Sequence, residues 1–123
     1  MATILVIDDE TLVRGTLRRI LTKAGHAVVE ADDGKRGLIE FARECPDLVI
    51  CDILMPNKEG LETIRELRQT KSAVPILAIS GGGRLGTSDF LRFAKGLGAN
   101  AALSKPFSAD EIVETVGSLL AAA

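Results

Sequence analysis

Five short apolar runs recur along the chain, and each gives way to a stretch whose apolar residues return at helical spacing. The runs are Thr3-Ile4-Leu5-Val6-Ile7, Ala27-Val28-Val29-Glu30-Ala31, Leu48-Val49-Ile50-Cys51, Ile76-Leu77-Ala78-Ile79 and, more weakly, Ala101-Ala102-Leu103-Ser104. The central run lies between Pro46 and Pro56 and is too short and too apolar for a surface helix, so it reads as a strand covered on both faces. After the first run, Val13, Leu17, Ile20, Leu21 and Ala24 fall on one face of a helix that Gly25 closes. Asp33 is placed to cap a second helix with Leu38, Phe41, Ala42 and Cys45 on one face, stopped by Pro46. Leu61, Ile64 and Leu67 mark a third, running to about Thr70. Thr87 or Ser88 can cap a fourth that carries Phe90, Phe93, Ala94 and Leu97 and ends near Gly98. Ser108-Ala109-Asp110-Glu111 is a capping box for the last helix, whose apolar face is Ile112, Val116, Leu119 and Leu120.

Repeated β-α units imply a parallel sheet with right-handed crossovers and helices on both faces. The expected class is therefore α/β, a flavodoxin-like (βα)5 doubly wound sheet with strand order 2-1-3-4-5. In such sheets ligands bind beyond the carboxyl ends of the strands, at the switch point between the first and third. The first strand runs into Asp8-Asp9-Glu10 and the third into Asp52, so carboxylates converge there. Ser80 ends the fourth strand and Lys105 follows the fifth.

Composition narrows the classes. With 123 residues and no linker, repeat or low-complexity segment, residues 1–123 are expected to form a single domain. The chain is 46% apolar and 26% charged, and no apolar run approaches the length of a bilayer span. A net charge of -2, with the 15 basic residues spread along the chain, gives no footing for a nucleic acid. No basic segment or cleavage-site pattern precedes Asp8, so the expected location is the cytoplasm. Cys45 and Cys51 match no zinc or redox spacing and are expected to be buried thiols without chemistry.

Three carboxylates in one crevice repel, each close pair by about 4 kcal/mol at 4 Å with an effective dielectric near 20. Lys105 supplies one positive charge and leaves the cluster about two short, a deficit that a divalent cation fits. The ligands would be oxygens, because the single His26 sits in the turn before the second strand and no Cys is expected at the crevice. Oxygen ligands favour Mg²⁺, with Mn²⁺ tolerated. An acidic crevice holding a metal and one Asp at a strand tip suits phosphoryl transfer onto a carboxylate, with Asp52 as the nucleophile. Ser80 and Lys105 are donors for the phosphoryl oxygens, and backbone N–H groups after Asp52 and Ser80, those of Ile53, Leu54 and Gly81, could complete the cradle.

On Asp8-Asp9-Glu10, Asp52 followed by Met55-Pro56 and Gly60, Ser80, and Lys105-Pro106-Phe107, the chain resembles the receiver domain of two-component response regulators over essentially its whole length. The resemblance implies a signalling phosphoacceptor that catalyses only its own phosphorylation and slow dephosphorylation. Asp52 would take a phosphoryl group from a histidine kinase or histidine phosphotransfer protein. Asp9 and Asp52 would bind Mg²⁺ with the backbone carbonyl of Leu54, and Asp8 would contribute through metal-bound water. Ser80 and Lys105 would engage the phosphoryl oxygens, and output would pass through the fourth helix, fifth strand and fifth helix to a partner or output domain. Two positions depart from the family pattern. Ala102 stands where the family usually has an aromatic residue whose rotamer reports phosphorylation. The last helix carries Asp110, Glu111 and Glu114 with no basic companion, which leaves the charged dimer contacts of the transcription-factor branch incomplete and implies a monomer or weak dimer.

Rival readings meet specific residues. Taken singly, Asp8 and Asp9 fit a helix cap, Asp52 and Ser80 a turn, and Lys105 a solvated charge; their shared sheet edge is what lifts them. Gly81-Gly82-Gly83-Arg84-Leu85-Gly86 satisfies G-x-G-x-x-G, but Lys105-Pro106 lies where a ribose-binding acid belongs, and Thr87 stands where a P-loop needs Lys. The glycines read as a flexible loop beside Ser80. A flavin-binding, flavodoxin-like electron carrier would have its phosphate repelled by Asp8-Asp9-Glu10. An Asp-nucleophile phosphatase would need a second Asp at Leu54. A receiver-like interaction domain without phosphorylation would not need all of these groups.

Overall fold

The computed structural model describes residues 2–53, 59–70, 72–81 and 87–123, and among these every side chain except those of residues 59, 61 and 87–91. The five apolar runs are strands: β1 (Thr3–Ile7), β2 (Ala27–Ala31), β3 (Leu48–Asp52), β4 (Ile76–Ser80) and β5 (Ala101–Ser104). The helices between and after them are α1 (Thr11–Lys23), α2 (Gly34–Glu44), α3 (Glu59–Gln69), α4 (Thr87–Leu97) and α5 (Ala109–Ala122). All strand pairings are parallel, in the order β2-β1-β3-β4-β5. This is the doubly wound order expected from the alternation.

Every residue of β3 and β4 is buried, whereas the edge strands β2 and β5 are mostly half-buried. Alternation along the strands divides the core in two. Ile4, Val6, Leu48, Ile50, Leu77 and Ile79 face Leu17 and Leu21 of α1 and Ile112 and Val116 of α5. On the other face, Leu5, Ile7, Val49, Cys51, Ile76 and Ala78 meet Ile64 and Leu67 of α3 and Ala94 of α4, with Leu38 and Phe41 of α2 packed alongside. Two helices thus cover one face and three the other.

The caps follow the sequence where they are described. Asp33 accepts the Arg36 N–H at 2.7 Å, and Ser108 and Glu111 form the reciprocal capping box. Gly25 (φ +95°) and Gly98 (φ +110°) turn the chain through the left-handed region after α1 and α4. The side chains of Thr87, Ser88 and Phe90, and the loop residues 82–86, lie outside the described residues.

Several expected core positions are at the surface instead. Ala24 caps the C-terminus of α1 and is exposed. Phe93 is 44% exposed. In α2 the helix approaches the sheet on Gly34 and Gly37, which turns Ala42 outward. Cys45 follows the last turn in a left-handed conformation (φ 46°) and is exposed, so only Cys51 is the buried thiol expected of both. Glu40 is buried in place of an apolar residue, with Arg36 at 3.2 Å and Arg43 at 3.6 Å.

Candidate functional site

The pairing register assembles the site. Ile7 lies beside Cys51, and Asp52 beside Ile79, which brings Asp8 and Asp52 together at the carboxyl edge of the sheet. Ser80 lies beside Ser104, and the Lys105 N–H donates to the Ser80 carbonyl at 2.7 Å, fixing the root of the Lys105 side chain. From there Lys105 Nζ reaches Asp8 Oδ2 at 3.1 Å, Glu10 Oε1 at 3.0 Å and Asp52 Oδ2 at 3.1 Å. Acids from two strands and an amine from a third thus meet at one point.

The inner residues at this edge are buried. Asp8 is fully buried, and Asp52 and Ser80 are each 3% exposed, whereas Asp9 and Glu10 are exposed. Asp8 Oδ1 accepts the Glu10 N–H at 2.8 Å, and Arg14 donates to the Asp8 carbonyl at 2.7 Å. Arg14 and Arg18 also hold Glu30 of β2, which anchors the start of α1 against the sheet. Neither Asp8 nor Asp9 caps α1; the N-cap residue is Glu10, and its side chain makes no cap bond.

Burial raises the Asp8 pKa, and the neighbouring Asp52 charge adds to the rise, while the Glu10 N–H and Lys105 oppose it. Burial on its own would lower Lys105, but Glu10, Asp8 and Asp52 together hold its pKa above the ordinary lysine value. Lys105 is therefore a permanent cation. The Cys51 thiol is pushed up by burial, with further contributions from Asp52 and Asp8, and is inert as a nucleophile.

Gly60 sets how closely α3 approaches the tip of β3. A Cβ there would stand 2.0 Å from the Asp52 carbonyl oxygen and 2.7 Å from the Ile53 Cα. Any larger residue would displace the backbone that carries Asp52. The glycine noted after Met55-Pro56 thus has a steric reason within the site.

Asp8, Asp9, Glu10 and Asp52 each offer an oxygen within 4.8 Å of the others. The donor set is carboxylate oxygen throughout, and its negative charge exceeds what Lys105 neutralises. Asp8 Oδ2 is buried and, despite the nearby ammonium, has no aligned hydrogen bond. These are the properties a hard divalent cation requires. The residues fit Mg²⁺.

Of the expected phosphate cradle, the Ile53 N–H is committed to the Ile79 carbonyl at 3.0 Å, so that donor is corrected to a sheet bond. Leu54 and Met55-Pro56 lie outside the described residues. Gly81 borders the site, where an added Cβ would lie 3.3 Å from Lys105 Cδ. His26 is the expected turn residue, its Nδ1 accepting the Ala2 N–H. Two contributors were not anticipated. Glu10 carries a signal, since it belongs to the acidic run, but its bond to Lys105 depends on residues 95 apart in sequence. Arg14 has no signal beyond its place one turn into α1. Beside Lys105 a cavity of about 480 Å³ opens, lined in part by Leu12, Val13, Pro106 and Phe107, and Leu12 is 85% exposed at its rim.

Comparison with known proteins gives the family. The family described as response regulator receiver domain matches residues 4–117. The chain is 42% identical over 112 residues to the KDP operon transcriptional regulatory protein KdpE of Escherichia coli, covering 91% of this chain and 48% of that protein. It is 38% identical over 117 residues to response regulator MprA of Mycobacterium leprae, covering 95% and 50%. The chain thus spans about half the length of these curated relatives. A response regulator receiver domain protein from Clostridium thermocellum superimposes with a TM-score of 0.88 at 28% identity, covering 99% of this chain and 96% of that one.

Proposed function

The chain belongs to the response regulator receiver domain family of two-component systems, and we propose that within it Asp52 is the phosphoacceptor of a Mg²⁺-dependent phosphorelay. The observation that carries this reading is the position of Lys105 Nζ, 3.1 Å from both Asp52 Oδ2 and Asp8 Oδ2 at the switch point of the sheet. The Asp52 carboxylate attacks the phosphorus of a phosphohistidine. The P–N bond breaks, its electron pair leaves on the imidazole nitrogen, and Asp52 becomes an acyl phosphate.

Asp8, Asp9 and Asp52, with the Leu54 carbonyl, would hold Mg²⁺, with Mn²⁺ as a substitute. When bound, the ion offsets the charge of the carboxylates and phosphoryl oxygens. Lys105 pairs with one phosphoryl oxygen, the Ser80 hydroxyl donates to another, and the Gly81 backbone lets the group approach closely. The donor is a histidine kinase or histidine phosphotransfer protein, and the apolar rim at Leu12, Val13, Pro106 and Phe107 suits a protein surface arriving beside Lys105. No described helix is long and apolar enough to cross a membrane, and a cytoplasmic setting follows from the donor class.

Residues 1–123 act as a single receiver domain, monomeric or weakly dimeric, signalling through α4, β5 and α5 to an output domain or partner. Ala102 has no ring to flip, so the change travels through the β5 backbone and α4, as a shift between two populations. Structures with and without a phosphoryl mimic that superimpose throughout Ser80–Lys105 would defeat this part. The central claim is tested by incubation with a small phosphodonor and Mg²⁺, followed by intact mass. One phosphoryl group is expected, and none with Asp52→Asn or with chelator. Labelling that survives Asp52→Asn sinks the assignment.

A further inference from the structure

We propose that Glu10 is a latch on Lys105: it holds the ammonium in the resting protein, yields it when a phosphoryl group forms on Asp52, and so sets the affinity of the site for that group. The proposal rests on the reading of Asp52 as the phosphoacceptor. Lys105 Nζ donates to Glu10 at 3.0 Å and to Asp52 at 3.1 Å, and pairs with Asp8 Oδ2 at 3.1 Å without an aligned hydrogen bond, so three carboxylates share one ammonium. A phosphoryl oxygen that recruits Lys105 competes with these carboxylates for the ammonium.

Glu10 is the partner best able to leave. Its side chain is 58% exposed, against 0% for Asp8 and 4% for Asp52, so water can take over its hydrogen bonds. It is the N-cap residue of α1, yet its side chain makes no cap bond, so release of Lys105 leaves α1 undisturbed. Its backbone is pinned through the Glu10 N–H to Asp8, which keeps the carboxylate beside the site when the grip is released. The cavity that Glu10 and Lys105 line together gives both side chains room to move. Glu10 is thus a positioning residue: it competes for the cation and repels the incoming anion.

The test titrates the 123-residue chain with beryllofluoride and saturating Mg²⁺, followed by fluorine NMR, and with Mg²⁺ alone by calorimetry. Glu10→Gln removes the charge at constant size, and Glu10→Asp keeps the charge but falls one methylene short of Lys105. Both variants are expected to bind the mimic about threefold more tightly than wild type, the scale of one exposed ion pair. Their Mg²⁺ affinity should stay within about threefold of wild type, because Glu10, although near enough to the acidic cluster to offer an oxygen, is engaged by Lys105 while Asp8, Asp9 and Asp52 are the side chains proposed to hold the ion. An unchanged or weaker mimic affinity in Glu10→Gln overturns the latch. So does a wild-type response in Glu10→Asp, which would reduce the effect to charge without contact. A loss of Mg²⁺ affinity of about tenfold or more makes Glu10 a metal-holding group and overturns it too. Failure of wild type to bind the mimic at all defeats the phosphoacceptor reading, and the latch with it.

Discussion

Lys105 and Arg68 are two partly buried cations at opposite edges of the same sheet, and their surroundings are inverted. Lys105, beyond β5, faces three carboxylates and carries a raised pKa. Arg68, at the end of α3, meets neutral oxygens: Gly98 at 2.9 Å, Ser72 at 3.0 Å, Val74 at 2.8 Å and Asn100 Oδ1 at 2.8 Å. Burial lowers its pKa, though from a value so high that it stays charged. The Asn100 side chain also accepts the Ile76 N–H at 2.8 Å, so one planar guanidinium ties together α3, the entry to β4 and the turn before β5. The Arg68 knot satisfies backbone groups and leaves no charge to be answered. The Lys105 cluster carries more negative than positive charge. One edge is built for stability, and the other retains an imbalance that binding can relieve.

The contrast can be broken most sharply at Arg68. Arg68→Ala should cost about 3 kcal/mol in urea denaturation, because three partly buried carbonyls and the Asn100 side chain lose their donor at once. Mg²⁺ affinity should not change, and a stable Arg68→Ala protein with altered metal binding would reverse the roles assigned to the two edges. Lys105→Met should have a smaller effect on folding, about 2 kcal/mol in metal-free protein, as the carboxylates lose their common partner. Added Mg²⁺ should recover more of that loss than it adds to wild type, as read from the denaturation midpoint.

The smallest effect has the opposite sign. Asp8→Asn should stabilise the metal-free protein by about 1 kcal/mol at neutral pH while weakening Mg²⁺ binding, as expected where a site is held for function. The native state holds the Asp8 proton more tightly than the unfolded chain does. The Asp8 contribution to stability is therefore complete below the ordinary carboxylate range and is lost as pH rises through its folded pKa. The advantage of Asp8→Asn should grow as pH climbs from acid toward neutral. An advantage that shrinks over that range would show that the buried charge of Asp8 is not the strained one.

Much of this was legible along the chain because alternation and helical spacing are local. The strands, their order and the placing of Asp8, Asp52, Ser80 and Lys105 at the carboxyl edge of the sheet follow from apolar runs and from where each run ends. The misplaced positions share a cause. Ala24, Ala42, Cys45 and Phe93 have the right spacing for a buried face, but spacing does not say how far a helix rolls or where its last turn stops. In α2 the roll follows from contact on Gly34 and Gly37, a property of the sheet beneath it.

By itself the sequence determined the parallel doubly wound sheet and which charged residues stand at its carboxyl edge, because one-dimensional periodicity fixes element type and strand tips. Only the tertiary structure decided which atoms share a proton donor. Glu10 and Lys105 meet across 95 residues, Arg68 finds carbonyls in two separate loops, and the Ile53 N–H is taken up by β4 and lost to the crevice. Such pairings depend on register and side-chain reach, and neither exists until the strands have been laid side by side.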